Sequence, residues 1–322
     1  MKDRYLATLQ ELYGMISYYS GITDLFYRRS RNKKQIWILS YHQIDSWSFE
    51  AHLRYLIQHY KIVPLSDVYR MLTGKSSWLP GALALTFDDG HLSFYKKVFP
   101  VLLKYRTPAT LFVATDFVGT GKQYWFDWVD GIIEWMKEQE VQVGDKTYSI
   151  GRSNRYAVKE AVKNQLKAVS DAEKQALIES LAARSGYKAG QVPEATQVID
   201  WDQAAEMQAS GMVDIGGHTC SHPILTRVPG SVARREIMES RHILQTRLGT
   251  DVEFFAYPNG DMEDINEEVM GYVQEAGYRA AVTLREGVCQ PGDNLFALRR
   301  ISTSGGFAFQ TLATKMSGLW LS

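Results

Sequence analysis

Two short stretches of the sequence place side chains that bind metals and move protons next to predicted strands. In the first, TFDDG at residues 86–90, the adjacent carboxylates Asp88 and Asp89 follow the apolar run GALAL. Aspartate is depleted in strands, and two neighbouring carboxylates repel each other in a poorly solvated site. Buried charges of this kind need a compensating partner, and a cation is the obvious candidate. Considered alone, such a pair is more often a solvated turn.

The second stretch, GGHTCSHP at residues 216–223, follows a short predicted strand. His218 and His222 are four residues apart, the spacing that puts two imidazoles on one helix face in zinc proteases. Two glycines precede them and Pro223 disfavours helical geometry at His222, so we interpret the stretch as a loop at the carboxyl end of a strand. In parallel α/β folds that edge holds the active site.

Together, the two stretches offer the donor set of an open metal site. Two imidazoles and one carboxylate leave room for a bound water. Successive side chains along a strand point in opposite directions, so one aspartate of the pair can bind the metal while the other faces the water. Each stretch alone is weak support for a metal site, but the pair at two strand ends is much stronger.

Predicted strands and helices alternate around these stretches, which favours parallel strands and an α/β fold. Residues 116–196 break the alternation with an aromatic stretch and two charged helical segments, and we interpret them as a mainly helical insertion. The predicted strands are residues 35–44, 82–87, 109–114, 213–215, 253–257, 280–284 and 296–301, and the predicted helices are residues 52–60, 65–73, 94–105, 155–169, 171–184, 202–210, 231–248 and 266–276.

The overall charge gives no reason to expect a nucleic-acid partner. Among 322 residues, Lys+Arg and Asp+Glu are balanced at 36 each, so no net field attracts a polyanion. The two cysteines, Cys220 and Cys289, are too few for a disulfide framework and have no metal-type spacing.

The N-terminal segment, residues 1–34, shows neither a signal-peptide pattern nor the ~18–20 apolar residues of a membrane span. An aromatic, amphipathic helical pattern is followed there by a basic cluster. Such a segment can rest on an anionic membrane surface, or it can be a helix packed on its own domain beside a solvated linker. We therefore expect a cytoplasmic protein, with peripheral membrane contact as the alternative that the segment leaves open. The cluster consists of Arg28, Arg29, Arg31, Lys33 and Lys34.

The sequence resembles the polysaccharide deacetylases of carbohydrate esterase family four, which share the NodB-homology domain. TFDDG is similar to the first motif of the family, HTCSHP to its second, and FFAYPNGD at residues 254–261 also resembles the family. The likeness covers about residues 35–115 and 198–302. It implies a distorted (β/α)7 barrel over residues 35–310. It also implies removal of N-acetyl groups from an amino sugar in a glycan or lipid-linked glycan precursor.

The resemblance implies a role for each residue of the two leading motifs. Asp88 matches the catalytic base, while Asp89, His218 and His222 match the ligands of a divalent metal, which is usually zinc. The metal would activate a water that attacks the acetamide carbonyl, and the loop after Tyr257 would help to hold the oxyanion. The residues expected to contact the oxyanion or the substrate are Tyr257, Pro258, Asn259, Arg300 and Trp125.

The sequence departs from the family at three motifs. The third commonly reads R-x-P-Y, with an arginine that orients the base, but Ala256 stands in its place here. The fourth is not clearly present. The fifth usually supplies a histidine as the general acid, whereas residues 298–300 read Leu-Arg-Arg. We therefore expect His42 to be the acid, because a Tyr-His pair at this place resembles the branch that acts on surface poly-N-acetylglucosamine.

Several residues near the motifs keep two interpretations. Arg299 and Arg300 could replace the missing arginine or bind an acidic sugar, although pairing with structural carboxylates is commoner. His91 could line the cleft, but exposure on the following helix is expected. Trp125 fits either a sugar-stacking platform or an anchor of the inserted helix. Hydrolysis of a formamide or ureide, and a non-catalytic carbohydrate-binding protein, are the alternative functions.

Overall fold

The fold is that of a computed structural model, which describes residues 2–30, 33–136, 140–151, 154–187, 194–303 and 306–319. The strands are β1 Trp37–Tyr41, β2 Lys61–Ile62, β3 Ala82–Phe87, β4 Ala109–Val113, β5 Glu140–Val143, β6 Lys146–Ser149, β7 Val213–Gly217, β8 Phe254–Ala256, β9 Ala280–Glu286 and β10 Leu298–Ser302. The helices are α1 Lys2–Tyr19, α2 Ile22–Ser30, α3 Ser46–His59, α4 Leu65–Leu72, α5 Phe99–Tyr105, α6 Trp125–Trp135, α7 Arg155–Lys167, α8 Asp171–Ser185, α9 Trp201–Ala209, α10 Gly230–Leu248, α11 Glu267–Glu275 and α12 Phe309–Met316.

Seven of these strands close a parallel barrel. β1 pairs with β3 on one side and with β10 on the other, and the order β10-β9-β8-β7-β4-β3 completes the ring. The short strand β2 pairs with the beginning of β3. The barrel is distorted between β9 and β10, where the register shifts. The expected distorted (β/α)7 barrel is confirmed.

Alternate residues of the barrel strands enter two apolar clusters. Ile38, Ala84 and Phe112 belong to the cluster that fills the barrel interior. Their neighbours Leu39 and Leu85 belong to the larger cluster formed with the surrounding helices. Burial on both faces explains why strands such as β3 and β4 appear in the sequence as nearly continuous apolar runs and not as alternating ones.

The insertion after β4 has an apolar cluster of its own, formed by helices α6, α7 and α8 and by an antiparallel hairpin of β5 and β6. The predicted helices are present, but the hairpin was not expected. Val141 and Val143 alternate with exposed residues in β5, whereas β6 is the polar run KTYS, which shows no apolar alternation. Residues 137–139, 152–153 and 188–193 of the predicted insertion lie outside the described part of the chain.

The N-terminal helices pack on the barrel domain through α12, a helix that was not predicted. The Tyr13 hydroxyl donates a hydrogen bond to the carbonyl of Leu319 at 3.1 Å. Gly14 lies so close to α12 that a Cβ there would be 2.8 Å from the Thr311 Cα. Arg31 of the basic cluster is outside the described residues. Among those described, no helix has the length and apolar character needed to cross a membrane.

Candidate active site

Asp88 and Asp89 begin a sharp turn at the carboxyl end of β3. The turn needs left-handed backbone at Asp89, with φ of 72°, and at Gly90, with φ of 66°. A Cβ at Gly90 would also lie 2.8 Å from the Val113 side chain, so glycine is required there by both conformation and space. Both carboxylates are 2% exposed. The turn therefore buries two adjacent charges at one edge of the barrel.

Asp89, His218 and His222 converge into a candidate metal centre. The Asp89 Oδ1 atom lies 3.5 Å from His218 Nε2 and 3.4 Å from His222 Nε2, and the three ligand atoms are within 4.8 Å of one another. A hydrogen bond of 2.7 Å joins His218 Nδ1 to the Ala256 carbonyl oxygen, so Nδ1 carries the proton and Nε2 is left as a donor for a metal. The two imidazoles and the carboxylate fit a divalent ion such as zinc, with coordination positions left open.

The loop after β7, and not a helix, presents His222, as its sequence predicts. His222 has a φ of 60°, and its backbone N–H donates to the Thr219 hydroxyl at 2.9 Å. Glu236 of α10 accepts hydrogen bonds from the backbone N–H groups of Cys220 and Ser221 at 2.9 and 2.8 Å. Sequence reasoning missed Glu236, because a glutamate on a charged helix usually faces solvent.

The pKa shifts at the candidate metal centre favour the forms of the ligands that can bind a metal without first losing a proton. Burial raises the pKa of Asp89, but the imidazoles of His218 and His222 beside its carboxylate outweigh it and hold that pKa well below its usual value. Burial lowers the pKa of His222, which favours the neutral imidazole. An ionised carboxylate and a neutral imidazole are the forms that bind a metal.

Arg300 of β10 holds Asp88 in a bidentate ion pair. The two guanidinium nitrogens donate to the two carboxylate oxygens at 2.8 and 2.7 Å, and Nε donates to the Thr283 carbonyl at 2.8 Å. Ala256 lies in the interior cluster, and Arg300, two residues after Leu298 of that cluster, faces the same interior. Arg300 thus makes, from another strand, the contact with Asp88 that the resemblance implies for an arginine at Ala256.

The position of Arg300 corrects one expectation and gives the reason for the charge state of Asp88. Arg300 is completely buried behind Asp88 and does not open into the cleft, so it is not placed to contact a substrate. Burial raises the pKa of Asp88, but the charge of Arg300 outweighs it and holds that pKa below its usual value. Asp88 is therefore ionised at neutral pH.

His42 follows β1 and opens into the same cleft. Its Nε2 atom is 3.9 Å from Asp88 Oδ2, and its side chain is 45% exposed. This exposure and this distance fit a group that exchanges protons with a substrate and with solvent. The acid role of His42 stays a prediction.

The cleft over the site has a volume of about 250 Å³ and is lined by residues of the barrel and of the insertion. Trp125, Tyr257 and Asn259 lie at its wall, and Pro258 stands between the latter two; their contact with a substrate stays a prediction. Tyr257 is buried and its hydroxyl donates to the Phe296 carbonyl at 2.8 Å. Sequence reasoning missed the charged lining that α7 contributes, which consists of Glu160, Lys163 and Lys167.

A family model for polysaccharide deacetylases matches residues 79–179 and 176–281, which together include both leading motifs. The chain belongs to the polysaccharide deacetylase family. Family membership supports a hydrolase that removes acetyl groups from a glycan, and the site geometry places the family's motif residues around one cleft.

Individual relatives of this deacetylase agree with the family model. YxkH of Bacillus subtilis, a protein assigned to the polysaccharide deacetylases, is 22% identical over 84% of this chain and 72% of its own length. The deacetylase PplD of Streptococcus pyogenes, solved with acetate, has a TM-score of 0.57 at 19% identity, over 88% of this chain and 98% of that chain. IcaB of Ammonifex degensii has a TM-score of 0.58 at 21% identity over the same shares. The two structures share the barrel fold.

The position of His91 in this deacetylase differs from the exposure expected for it. His91 is 2% exposed, and its Nε2 atom is 2.8 Å from Asp127 Oδ2 of the inserted helix α6. Burial lowers the pKa of His91, but the Asp127 carboxylate outweighs it and raises that pKa overall. No local pattern could have signalled this pairing, because the partner lies 36 residues away in the insertion.

Two neighbouring aromatic residues at the start of α6, Tyr124 and Trp125, differ in their burial and contacts. Tyr124 is completely buried and donates a 2.6 Å hydrogen bond to the Asp89 carbonyl, so it anchors the insertion. Trp125 lines the cleft, with the Lys174 ammonium 5.1 Å from its ring centroid. Of the two, only Trp125 is placed to contact a sugar.

Proposed function

We propose that the protein is a metal-dependent hydrolase that removes N-acetyl groups from an amino sugar of a glycan or of a lipid-linked glycan precursor. The observation that carries this proposal is the pairing of Asp88 with Arg300 beside the cluster of Asp89, His218 and His222. It puts an ionised proton acceptor next to three convergent ligands. Zinc is the metal that we propose, because two imidazoles and one carboxylate form a common catalytic zinc site.

The residues of the cleft divide the proposed chemistry among them. A bound divalent metal would supply Lewis acidity to the acetamide carbonyl and to the attacking water. Asp88 accepts a proton from that water, and Arg300 keeps its carboxylate ionised and fixed in direction. His42 donates a proton to the departing amine. The backbone N–H of Asn259, in the loop after Tyr257, contributes to the oxyanion contact.

Acetate release tests the proposal. Chitin oligosaccharides and N-acetylated lipid-linked sugars are incubated with the metal-depleted protein and with the protein after zinc is added back. We expect acetate only after zinc is restored. Formate release from formamides would favour the second hydrolase hypothesis instead. Glycan binding without any product would favour a carbohydrate-binding protein.

The location that we propose with this function is the cytoplasmic surface of a membrane. α1 packs toward α12 at Gly14 and Tyr18, whereas its apolar side chains Leu12, Ile16 and Tyr19 are 48%, 60% and 72% exposed. So many exposed apolar side chains on one helix are unusual for a helix that only packs on its own domain. Exposed basic residues follow at the end of α2 and beyond it, and they would complement anionic lipid headgroups: Arg28, Arg29, Lys33 and Lys34.

Point substitutions test the location better than a deletion of residues 1–34, because the deletion would uncover buried residues of α12 such as Thr311. Ile16→Glu with Tyr19→Glu is compared with Trp135→Glu, which replaces an exposed aromatic residue of the insertion. We expect the double variant to lose sedimentation with phosphatidylglycerol vesicles and the control to keep it. Equal sedimentation of all three proteins, or equal binding to phosphatidylcholine vesicles, would contradict the proposal.

A further inference from the structure

We propose that the insertion sets the metal affinity of the site by holding the metal ligand Asp89 in place through Asp127 and His91. This inference rests on the proposed metal centre and assigns a positioning role to two residues outside it. His91 and Asp127 are 2% and 6% exposed, in a chain whose ionisable residues otherwise mostly face solvent. Buried groups of this kind cost free energy unless they are paired, so their pairing has to be accounted for.

The two oxygens of Asp89 face different partners. Oδ1 faces the Nε2 atoms of His218 and His222, at 3.5 and 3.4 Å. Oδ2 faces the Nδ1 atom of His91 at 3.9 Å. One oxygen is thus directed to the other metal ligands, and the opposite oxygen is directed to a histidine that no ligand set includes.

His91 is in turn fixed by the insertion. Its Nε2 atom makes a 2.8 Å contact with Asp127 Oδ2, whereas its buried Nδ1 atom has no hydrogen-bond partner within the described part of the chain. The Nδ1–Oδ2 separation of 3.9 Å is roughly 1 Å longer than a hydrogen bond. The ring is therefore held at one end, with its other end directed at Asp89 and otherwise unsatisfied.

Hydrogen bonds to the backbone of the turn that carries Asp89 hold both ends of the insertion. At the entrance, the Tyr124 hydroxyl donates to the Asp89 carbonyl at 2.6 Å. At the exit, the Ile199 N–H donates to the Gly90 carbonyl at 3.0 Å, and the Leu92 N–H donates to the Gln197 carbonyl at 2.6 Å. The insertion thus contacts the backbone of Asp89 directly, and it reaches the carboxylate of Asp89 by way of His91.

Outer groups that orient a ligand typically change metal affinity by about 10–100-fold when they are replaced. A merely structural role for the Asp127–His91 pair would change the stability of the protein but not the affinity of the folded protein for metal. Metal affinity is therefore the measurement that separates the two roles.

The test is competition of the full-length protein with a chromophoric chelator for zinc, with the absorption spectrum of bound Co²⁺ as a second reading of ligand geometry. Asp127→Asn keeps the shape of the side chain and removes its charge. The matched control is Asp130→Asn, one turn further along α6, where the carboxylate pairs with Lys163 and not with a histidine. His91→Gln and Tyr124→Phe test the other two contacts.

We expect zinc affinity to fall about 10–100-fold in His91→Gln and about tenfold in Asp127→Asn, with a changed Co²⁺ spectrum, while Asp130→Asn stays at the wild-type value. If His91→Gln does not fold, Asp127→Asn and Tyr124→Phe still decide the matter. Wild-type affinity in the folded variants would overturn this inference alone. Zinc binding by the wild type without acetate release would overturn the proposed function alone, and no zinc binding by the wild type would overturn both.

Discussion

The two sides of the cleft hold their charges by different means. On the metal side, Asp89, His218 and His222 come from two compact motifs, and the turns after β3 and β7 bring them together. On the base side, Asp88 depends on Arg300, which stands 212 residues away in the sequence. Three metal donors must converge on one point, so their backbone positions have little freedom. The guanidinium that holds Asp88 comes from β10, which is separated from β3 by β1 in the barrel.

The largest effect is expected when a ligand is removed from the metal side. In His222→Ala we expect bound zinc to fall from about one per chain to near zero, together with all activity, because two ligands seldom retain a catalytic metal. Elemental mass spectrometry of the purified protein measures it. His242→Ala, which removes an exposed histidine of α10, is the control and should keep its zinc. Zinc retained by His222→Ala would refute the ligand assignment.

Removing the base should leave the metal side intact. In Asp88→Asn we expect turnover to fall about 10²–10⁴-fold, because the amide accepts no proton from water, with bound zinc unchanged. Acetate release and metal content are measured on the same preparation. Loss of zinc from this variant would mean that base and ligand have been assigned the wrong way round.

A smaller effect is expected from the second proton carrier. In His42→Ala the rate should fall about 10²-fold, because the departing amine loses its proton donor. Gln43→Ala changes the neighbouring residue and is expected to be near normal. A normal rate for His42→Ala would clear His42 of the acid role and move the search to another group of the cleft.

The support of the base should show itself most clearly in pH dependence. Arg300 holds the folded-state pKa of Asp88 below its usual value. The ion pair therefore stabilises the fold at pH values above the usual pKa of an aspartate. This stabilisation is lost as the pH falls through the folded-state pKa. In Arg300→Gln the largest influence that lowers the pKa of Asp88 is removed, so burial dominates and the pKa rises. We expect the acid limb of the rate profile to move upward by about 1–3 pH units and unfolding to become easier by about 3–5 kcal/mol. Arg299→Gln should do neither, and an unmoved acid limb in Arg300→Gln would contradict the role given to that ion pair.

The metal side could be predicted from the sequence because its chemistry is local. TFDDG and HTCSHP each carry their donors within a few residues of a strand end, and the carboxyl ends of parallel strands lie at one edge. The alternation of strands and helices predicted parallel strands and an α/β fold, whereas the (β/α)7 barrel itself was implied by the family resemblance. The bounds shifted by a few residues, as in α3, which begins at Ser46 and not at residue 52.

The long-range pairings could not be predicted in the same way. Arg300 is one of the two arginines considered as a partner for the base Asp88. From the sequence alone, however, an arginine at this position fits a structural ion pair or a sugar contact equally well. His91 was expected to be exposed, because nothing near it in sequence announces Asp127. The hairpin of β5 and β6 was missed since its second strand is polar. The partners of Arg300 and His91 lie 212 and 36 residues away, and a local pattern does not encode such contacts.

Barrel closure between β1 and β10 has a consequence for how the chain is made. Leu39 of β1 aligns with Ile301 of β10, and α1 packs on α12. During synthesis, β1 and α1 therefore lack these partners until β10 and α12 have been made. At about 5–20 residues per second, ribosomal synthesis separates β1 from β10 by roughly 13–50 s. During that interval the edge of β1 that will face β10 has no partner, and an unpaired edge invites association with other chains. We therefore expect slower growth or added chaperones during expression to raise the fraction of the protein that is recovered in soluble form.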